Sequence, residues 1–313
     1  MLSIHNICLS FDSELLKNIS FDVHEGEIIG IAGKSGAGKT SLLKVIAGLA
    51  DADKGEIMLD NKLMVGPSQK LIPGHSEIQL VNQDFNLDYY QTVEENLRNK
   101  ILHLPRDVQN QFIDELLDLI ELSDLKHHQT QTLSGGEQQR LAIARALSLE
   151  SKVLLLDEPF VHLDTTLRIK LISYLEQLIK IRKMCVVIVT HNSEELLNLA
   201  DKIIYLNEGK IKRVASPHDF YYNYKSVKEG KMFGILNQAT VLNKSIHFRP
   251  DEYEICSDNP EITLKFERSM FMGGYYLNEF SMPNSKKIIL FNQNKMTNVE
   301  GITIRKKERN KLV

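Results

Sequence analysis

Residues 33–40 read GKSGAGKT and match every fixed position of the P-loop pattern G-x-x-x-x-G-K-[ST]. The apolar run EIIGIA (27–32) predicts a buried strand before them, and SLLKVIAG (41–48) predicts a helix after them that ends near Gly48. Backbone N–H groups and the positive end of the helix dipole then face a phosphate. A plain glycine-rich surface turn would not need these flanking elements. The predicted nucleotide contacts are Gly33, Lys34, Ser35, Gly36, Ala37, Gly38, Lys39, Thr40 and Ser41.

Two side chains of this loop have distinct expected roles. Lys39 would reach the β- and γ-phosphates, and the Thr40 hydroxyl would ligate Mg²⁺. The loop alone therefore predicts a nucleoside triphosphate and a magnesium ion as ligands.

Length, charge and cysteine content limit the class of protein. The 313 residues are enough for two domains, and the net charge of -3 argues against nucleic acid as a partner. The cysteines, Cys8, Cys185 and Cys256, form no C-x-x-C pair, which disfavours a zinc site or a disulfide framework. The sequence contains no apolar stretch of roughly 18 residues, and MLSIHNICLSF (1–11) lacks the pattern of a signal peptide. We expect a cytosolic chain, for which any membrane crossing would be made by another subunit.

Alternating apolar residues before the P-loop predict two half-buried strands joined near Asp12–Ser13. Ile7, Leu9 and Phe11 share one face of the first strand. The spacing leaves two interpretations of Phe11 open. Its ring either continues the buried face or stacks on an adenine.

Strands and helices alternate over the remainder of residues 1–230. A mostly helical segment is expected over about 85–147 and begins with the capping-box residues Thr92 and Glu95. Short β-type runs dominate from 231 to 313. The predicted fold class is α/β: a P-loop domain (1–230) with a mostly parallel sheet, an N-terminal antiparallel β subdomain and a helical subdomain, followed by a small all-β, OB-like domain (231–313).

Two carboxylates end the apolar strand VLLLDEP (153–159). Asp157 is the expected Walker B aspartate, which helps to hold Mg²⁺. Glu158 beside it would be repelled without a nearby cation, so its expected role is to orient and polarise the water that attacks the γ-phosphate.

Taken together, these motifs resemble the nucleotide-binding subunits of ATP-binding-cassette (ABC) transporters. The resemblance covers residues 1–230 and is carried by GKSGAGKT (33–40), Gln83, LSGGE (133–137), LLLDEP (154–159), Leu163–Asp164 and His191. LSGGE is the signature that separates this family from other P-loop classes. A purely structural interpretation of LSGGE, as a glycine loop capped by Ser134 before a helix, is correct but does not account for a function.

The resemblance implies a site shared by two chains. In the family, cassettes pair head to tail, and each ATP lies between the Walker A loop of one cassette and the signature of the other. The residues expected to act in trans are Leu133, Ser134, Gly135, Gly136 and Glu137. A helix that begins with glycines suits an anion, which agrees with that role.

The remaining site residues are also assigned by the resemblance. His191 is similar to the switch histidine that contacts the γ-phosphate, and Gln83 to the glutamine that reaches Mg²⁺ and water. Asp164 is similar to the D-loop aspartate of the dimer interface. Phe11 fits the aromatic position beside adenine, which favours the second interpretation above. His162 departs from the small residue usual in the D-loop.

The C-terminal segment resembles the small β domain, often called TOBE, of importer ATPases. FRPDEYEI (248–255) and FMGGYYLNEF (271–280) are similar to two of its recurring stretches. The expected protein is an ATPase subunit that acts on the cytoplasmic face of the plasma membrane, with ATP and Mg²⁺ as cofactors. A second cassette and a transmembrane permease are its expected partners, and an extracytoplasmic solute-binding protein is a further one. The expected solute is an inorganic ion or a polyamine.

Three other functions stay open on sequence alone. An exporter ATPase is disfavoured by the β-rich tail. A non-transport ABC protein of translation or DNA repair is disfavoured by the single cassette and by the short insertion between Walker A and the signature. A nucleotide-gated regulator would bind ATP without turnover.

Overall fold

The computed structural model describes residues 1–82, 85–148, 150–161 and 163–306. Its internal contacts divide the chain into two units, Met1–Pro217 and His218–Val313. The strands of the first unit are β1 (Leu2–Ser10), β2 (Glu14–Val23), β3 (Ile28–Ala32), β4 (Lys54–Leu59), β5 (Lys62–Leu63), β6 (Ile78–Val81), β7 (Val153–Asp157), β8 (Cys185–Val189), β9 (Lys202–Asn207) and β10 (Lys210–Ala215). Its helices are α1 (Lys39–Ile46), α2 (Val93–Arg98), α3 (Arg106–Leu119), α4 (Gly135–Ser148), α5 (Thr165–Arg182) and α6 (Ser193–Leu199).

A six-stranded sheet in the order β10-β9-β3-β8-β7-β6 forms the centre of the first unit. All its neighbouring pairs are parallel except β9 and β10, which confirms the prediction of a mostly parallel sheet. Every residue of β3, β7 and β8 is buried, as expected for strands covered on both faces. Val189 pairs with Ile31 on one side and with Asp157 on the other. The loops that follow these three strands therefore begin at one edge of the sheet.

A second, antiparallel sheet in the order β2-β1-β4-β5 confirms the predicted N-terminal β subdomain. Apolar side chains of its first two strands, including Ile4 and Leu16, join the same buried cluster as Leu43 of α1 and Val187 of β8. This packing holds the β1–β2 hairpin against the element that carries the P-loop.

Helices α2, α3 and α4 lie between β6 and β7 in the chain, within the predicted helical segment. Thr92 begins α2 with the predicted capping box, in which its side chain and that of Glu95 each bond the other's backbone N–H. The spacing of Phe112, Leu116, Leu119 and Ile120 predicts a helix over 108–122. The observed helix α3 covers Arg106–Leu119. The early start follows from Pro105, which caps the helix, since proline is favourable where no N–H is needed.

Up to residue 306, the second unit shows eight strands and the helices α7 (Pro217–Tyr222) and α8 (Val227–Met232), the first of which begins at the division between units. The strands are β11 (Asn237–Val241), β12 (Lys244–Phe248), β13 (Tyr253–Ile255), β14 (Ile262–Thr263), β15 (Lys265–Phe271), β16 (Tyr276–Ser281), β17 (Lys287–Asn292) and β18 (Gly301–Ile304). They form three small antiparallel sheets, β11-β12, β13-β18-β14 and β15-β16-β17. Phe248, Phe280 and Ile302 belong to their shared apolar cluster. The β-rich character of this region is confirmed.

Arg249 connects the helical and β parts of the second unit. Its fully buried guanidinium donates to the carbonyl oxygens of Tyr221, Gly230, Gly234 and Ile235 over 2.6–3.3 Å. The guanidinium carbon also lies 4.1 Å from the centre of the Tyr221 ring, a cation–π distance. Residues on both sides of position 230 thus fold together, while the predicted domain boundary after 230 stays a prediction.

Candidate nucleotide-binding site

The P-loop runs from the end of β3 to the start of α1, as its sequence predicts. Gly33 is required by space, because a Cβ there would lie 2.4 Å from the carbonyl oxygen of Leu206. Gly38 caps α1 in the left-handed conformation, with φ of 92°, which glycine adopts without strain. The two fixed glycines of the motif therefore each have a local structural cause.

Lys39 is buried and folds back over the loop. Its Nζ donates to the carbonyl oxygens of Gly33 and Lys34 at 2.9 and 3.1 Å. Burial lowers the pKa of Lys39, and the negative charges of Glu158 and Asp157 oppose that change. The ammonium is thus placed beside the loop and faces two carboxylates.

A cavity of about 480 Å³ brings the P-loop together with residues far away in sequence. The loop and α1 contribute Ser35, Gly36, Gly38, Lys39, Thr40 and Ser41 to its lining, and Leu15, Glu158, Val189 and His191 complete it. Glu158 follows β7 and His191 follows β8, the strands on one side of the P-loop strand. The predicted meeting of Walker A, the second carboxylate and the histidine is therefore present in the structure.

Glu158 and His191 face each other at the cavity wall. The Nδ1 atom of His191 lies 3.1 Å from Oε2 of Glu158, so this nitrogen is the donor when the carboxylate is ionised. Glu158 has φ of 53°, a left-handed conformation that is uncommon for a residue other than glycine. Its N–H donates to the Val189 carbonyl oxygen at 2.8 Å. The geometry suits a carboxylate that holds a proton or a water in a fixed place.

Asp157 lies at the end of β7 with only 3% of its surface exposed. Among the described residues, neither of its carboxylate oxygens has a hydrogen-bond partner of normal geometry. Burial raises the pKa of Asp157; the Thr40 hydroxyl opposes this rise, and the negative charge of Glu158 adds to it. Two buried acceptor oxygens without donors, close to a threonine hydroxyl, fit a divalent cation.

In the described ranges, His, Cys, Asp and Glu side chains form no group of three that could hold a metal ion. A magnesium ion at Asp157 would therefore depend on nucleotide phosphates for further ligands, as is usual for Mg²⁺.

The signature LSGGE forms the entry to α4, where Ser134 and Gly135 are exposed and Leu133 is buried. The Ser134 hydroxyl and N–H both donate to Oε2 of Glu137, at 2.8 and 2.7 Å, a capping box that lowers the pKa of Glu137. Apart from the neighbouring residues and the backbone of its own helix, no described atom lies within 4 Å of the place that a Cβ on Gly135 would take, so packing against other elements does not require glycine there. Among the described residues that line the 480 Å³ cavity, none belongs to the signature.

Phe11 and Asp164 also lie outside that cavity lining. Phe11 is 72% exposed, so the interpretation that it continues the buried face of its strand is wrong. β1 ends at Ser10, and the ring leaves the sheet before the turn. Asp164 caps α5 by accepting from the N–H groups of Thr166 and Leu167 at 2.9 and 3.0 Å. Gln83 and His162 lie outside the described residues.

Two polar contacts around Glu158 and His191 were not predicted. The buried Gln139 of α4 donates from its amide to the carbonyl oxygens of Glu158 and Pro159. Thr190, just before His191, donates to the buried carboxylate of Glu195 at 2.7 Å. Gln139 is the second residue after the motif LSGGE (133–137), and only its position along the helix could have suggested that it faces inward.

The fold and this cavity define a P-loop nucleotide-binding protein with Glu158 and His191 on the cavity lining. A model of the family "ABC transporter" matches residues 16–161, which include the P-loop, the signature and both carboxylates.

Relatives extend the match over most of the chain. The spermidine/putrescine import ATP-binding protein PotA of Thermotoga maritima is 37% identical over 257 residues, which cover 81% of this chain and 68% of that protein. The sulfate/thiosulfate import ATP-binding protein CysA of Pseudomonas syringae pv. tomato is 33% identical over 262 residues, 81% of this chain and 79% of that protein. The chain therefore belongs to the ABC transporter ATP-binding family and is an ATPase.

A solved structure agrees with this assignment. A dimeric ATP-binding cassette in a post-hydrolysis state, bound to ADP and Pi, is 29% identical to this chain with a TM-score of 0.62. The match covers 69% of this chain and 99% of that one. Within the described part of the chain, no helix combines the length and the apolar composition that a membrane crossing requires.

Proposed function

We propose that this protein is the ATP-hydrolysing subunit of an importer, and that the residues around the 480 Å³ cavity form half of its active site. The observation that carries the proposal is the meeting of the P-loop with Glu158 and His191 on one cavity wall. Each of these groups comes from the end of a different strand, where ligands of parallel sheets bind.

The P-loop supplies the phosphate site. Its residues Ser35, Gly36 and Gly38 and the start of α1 line the cavity, and the ammonium of Lys39 is directed at loop carbonyls. A triphosphate in the cavity offers that ammonium stronger partners, since hydrogen bonds between charged groups are about twice as strong as neutral ones.

Thr40, Asp157 and Gln83 are the proposed contacts of a magnesium ion. The orphaned oxygens of Asp157 support this assignment. When bound with ATP, the ion would neutralise charge on the β- and γ-phosphates.

Glu158 is the proposed general base, and His191 the residue that holds it in place and contacts the γ-phosphate. With Nδ1 directed at Glu158, the other ring nitrogen of His191 is the one left for a phosphate oxygen. The carboxylate would orient the attacking water and accept its proton. A positioned base of this kind contributes about 10²–10⁴-fold to a rate.

Ser134, Gly135 and Gly136 are proposed to contact ATP held by a second cassette, with Leu133 and Glu137 completing the signature. The open surroundings of Gly135 support this role, because a ligand outside the chain would explain a glycine that the chain itself does not need. Asp164 is proposed to lie at the same interface. Its exposed capping carboxylate orders the start of α5 there.

Phe11 is proposed to stack on the adenine. A large aromatic side chain that is 72% exposed on a hairpin beside the P-loop has no packing role within its own sheet. Leu15, on the same hairpin, lines the cavity, which supports the approach of this hairpin to a bound nucleotide.

Polyamines and sulfate are the proposed solute classes, because the relatives named above import them. A transmembrane permease, with a solute-binding protein outside the membrane, would complete the transporter and would hold this chain at the cytoplasmic face of the membrane. We propose residues 231–313 as a separate TOBE-like domain.

The test of this proposal is the Glu158→Gln variant of the full chain. We expect it to bind ATP as the wild type does, to hydrolyse it at least about 100-fold more slowly and to sediment as an ATP-bound dimer. Turnover at the wild-type rate would remove Glu158 from the role of base. ATP binding without turnover in the wild type, even with its permease, would favour a nucleotide-gated regulator instead.

A further inference from the structure

We infer that Gln139 is a positioning residue that fixes the backbone of Glu158 and so connects the signature helix to the hydrolysis step. The inference rests on the proposed role of Glu158 as the base. Gln139 does not line the 480 Å³ nucleotide cavity, so its influence would pass through Glu158.

The amide of Gln139 makes a partly buried hydrogen bond to Glu158 and a fully buried one to Pro159. Nε2 of Gln139 donates to the carbonyl oxygen of Glu158 at 3.1 Å and to that of Pro159 at 2.8 Å. Only 4% of Gln139 is exposed. The bond to Pro159 is shielded from water and is not exchanged for solvent, so it fixes the position of the Gln139 amide beside the Glu158 carbonyl.

The backbone of Glu158 is held at both of its polar groups. Its N–H bonds to Val189 of β8, the strand that leads to His191, and its carbonyl bonds to Gln139 of α4. Between these two bonds the residue has φ of 53°. A residue other than glycine keeps such a conformation only where its surroundings enforce it, and sites of this kind concentrate at functional centres.

Among the described residues, packing leaves open space on the Gln139 side of Glu158. A cavity of about 210 Å³ lies there, lined by Asn82, Gln139, Asp157 and Glu158 together with three apolar residues. Because open space adjoins the peptide, the two hydrogen bonds from Gln139 carry more of the positioning than they would in a close-packed core.

The position of Gln139 on α4 gives this contact a functional consequence. α4 begins at Gly135, directly after the Ser134 cap, and Gln139 lies in its second turn. A shift of the signature at the helix start would thus be passed to the Glu158 carbonyl. In the proposed dimer, ATP bound against the signature would help to align the base that acts on the chain's own ATP.

The test replaces Gln139 with Met, which keeps the length of the side chain but removes both donors. We expect kcat of the full chain to fall roughly 10- to 100-fold, as expected for a misplaced reacting group, with the KM for ATP within about twofold of wild type. Gln139→Asn withdraws the amide by about 1.5 Å and should give a smaller loss in the same direction. This milder variant keeps the test valid if Gln139→Met does not fold.

A matched control is available in the next residue. Gln138 also donates from its amide to two carbonyl oxygens, those of Thr130 and Leu133, but it does not touch Glu158. The loss of kcat in Gln139→Met should exceed that in Gln138→Met by at least about tenfold. Equal losses in the two variants would overturn the inference.

A double-mutant cycle separates this inference from the proposed base role. In a Glu158→Gln background, Gln139→Met should cause no further loss in single-turnover hydrolysis, because the group it positions is already gone. If Gln139→Met caused an equal loss of hydrolysis rate in the wild-type and Glu158→Gln backgrounds, the positioning role of Gln139 would be overturned, and the base role of Glu158 would not be affected. Wild-type turnover by Glu158→Gln itself would instead refute the base assignment on which the inference rests.

Discussion

Asp157→Asn should make the nucleotide-free protein more stable while it removes the response of the protein to magnesium. In the wild type, a carboxylate that is 3% exposed has no hydrogen-bond partner of normal geometry among the described residues and lies next to Glu158. A buried polar group left without a partner costs about 1–3 kcal/mol, and more when it is charged. Asparagine removes the charge but keeps an amide in the same place, so we expect a net gain of about 1–2 kcal/mol.

The assay is calorimetric melting of three samples. The first contains EDTA and no nucleotide, the second contains ATP and EDTA, and the third contains ATP and Mg²⁺ without EDTA. A gain of 1–2 kcal/mol in a unit of this size corresponds to a rise in Tm of about 2–8 °C. Burial raises the pKa of Asp157, so the penalty in the wild type is present above that raised pKa and disappears as the pH falls through it toward about 3.9. The advantage of the variant should therefore shrink in acid.

Asp164→Asn is the matched control, since Asp164 accepts two backbone N–H bonds and asparagine caps a helix equally well. Its Tm should stay within about 2 °C of wild type. Two results would refute the reasoning about Asp157: a lower Tm for Asp157→Asn than for the wild type in EDTA, or an undiminished rise of its Tm when Mg²⁺ is added to the ATP complex.

Three further predictions concern other parts of the chain. Gly33→Ala puts a methyl group 2.4 Å from the Leu206 carbonyl oxygen and should weaken ATP binding at least about tenfold in calorimetric titration. Wild-type affinity in this variant would contradict the claim that the loop has room only for glycine there. Phe11→Ala should weaken ATP binding by about 1–3 kcal/mol, and Phe11→Tyr should leave it unchanged. If Phe11→Ala bound ATP as tightly as the wild type does, adenine stacking would be excluded. Arg249→Met leaves four carbonyl oxygens without their donor. Hydrogen exchange should show that core amides of the second unit lose about 3–5 kcal/mol of protection. Unchanged protection would refute the connecting role of Arg249.

The centre of the site could be predicted because its motifs follow strand ends. Asp157 ends one apolar strand and His191 follows another, and parallel strands place the loops after them at one edge of a sheet. This pattern places Glu158 near the P-loop, whereas the family resemblance assigned His191. The cap at Thr92 was equally predictable, since it depends on residues three positions apart.

Features that depend on contacts between distant elements could not be read from the pattern. Gln139 bonds to carbonyl oxygens 19 and 20 positions further along the chain, and a glutamine on a helix carries no sign of that partner. Phe11 continued the alternation of its strand, but β1 ends one residue earlier and exposes the ring.

The predicted domain boundary after residue 230 follows the change to short β-type runs there and stays a prediction. In the structure, the buried guanidinium of Arg249 bonds to Tyr221 and Gly230, and the division by contacts falls at Pro217–His218. A single buried side chain thus joins segments that composition had separated.

The central claim is that two copies of this chain share each ATP, with the P-loop of one copy facing Ser134 of the other. The direct measurement is the ATPase rate of a one-to-one mixture of Lys39→Ala and Ser134→Arg chains, each inactive alone. Random pairing would give mixed dimers with one intact composite site, and we expect roughly a quarter of the wild-type rate to return. A mixture as inactive as its two components would contradict the shared site.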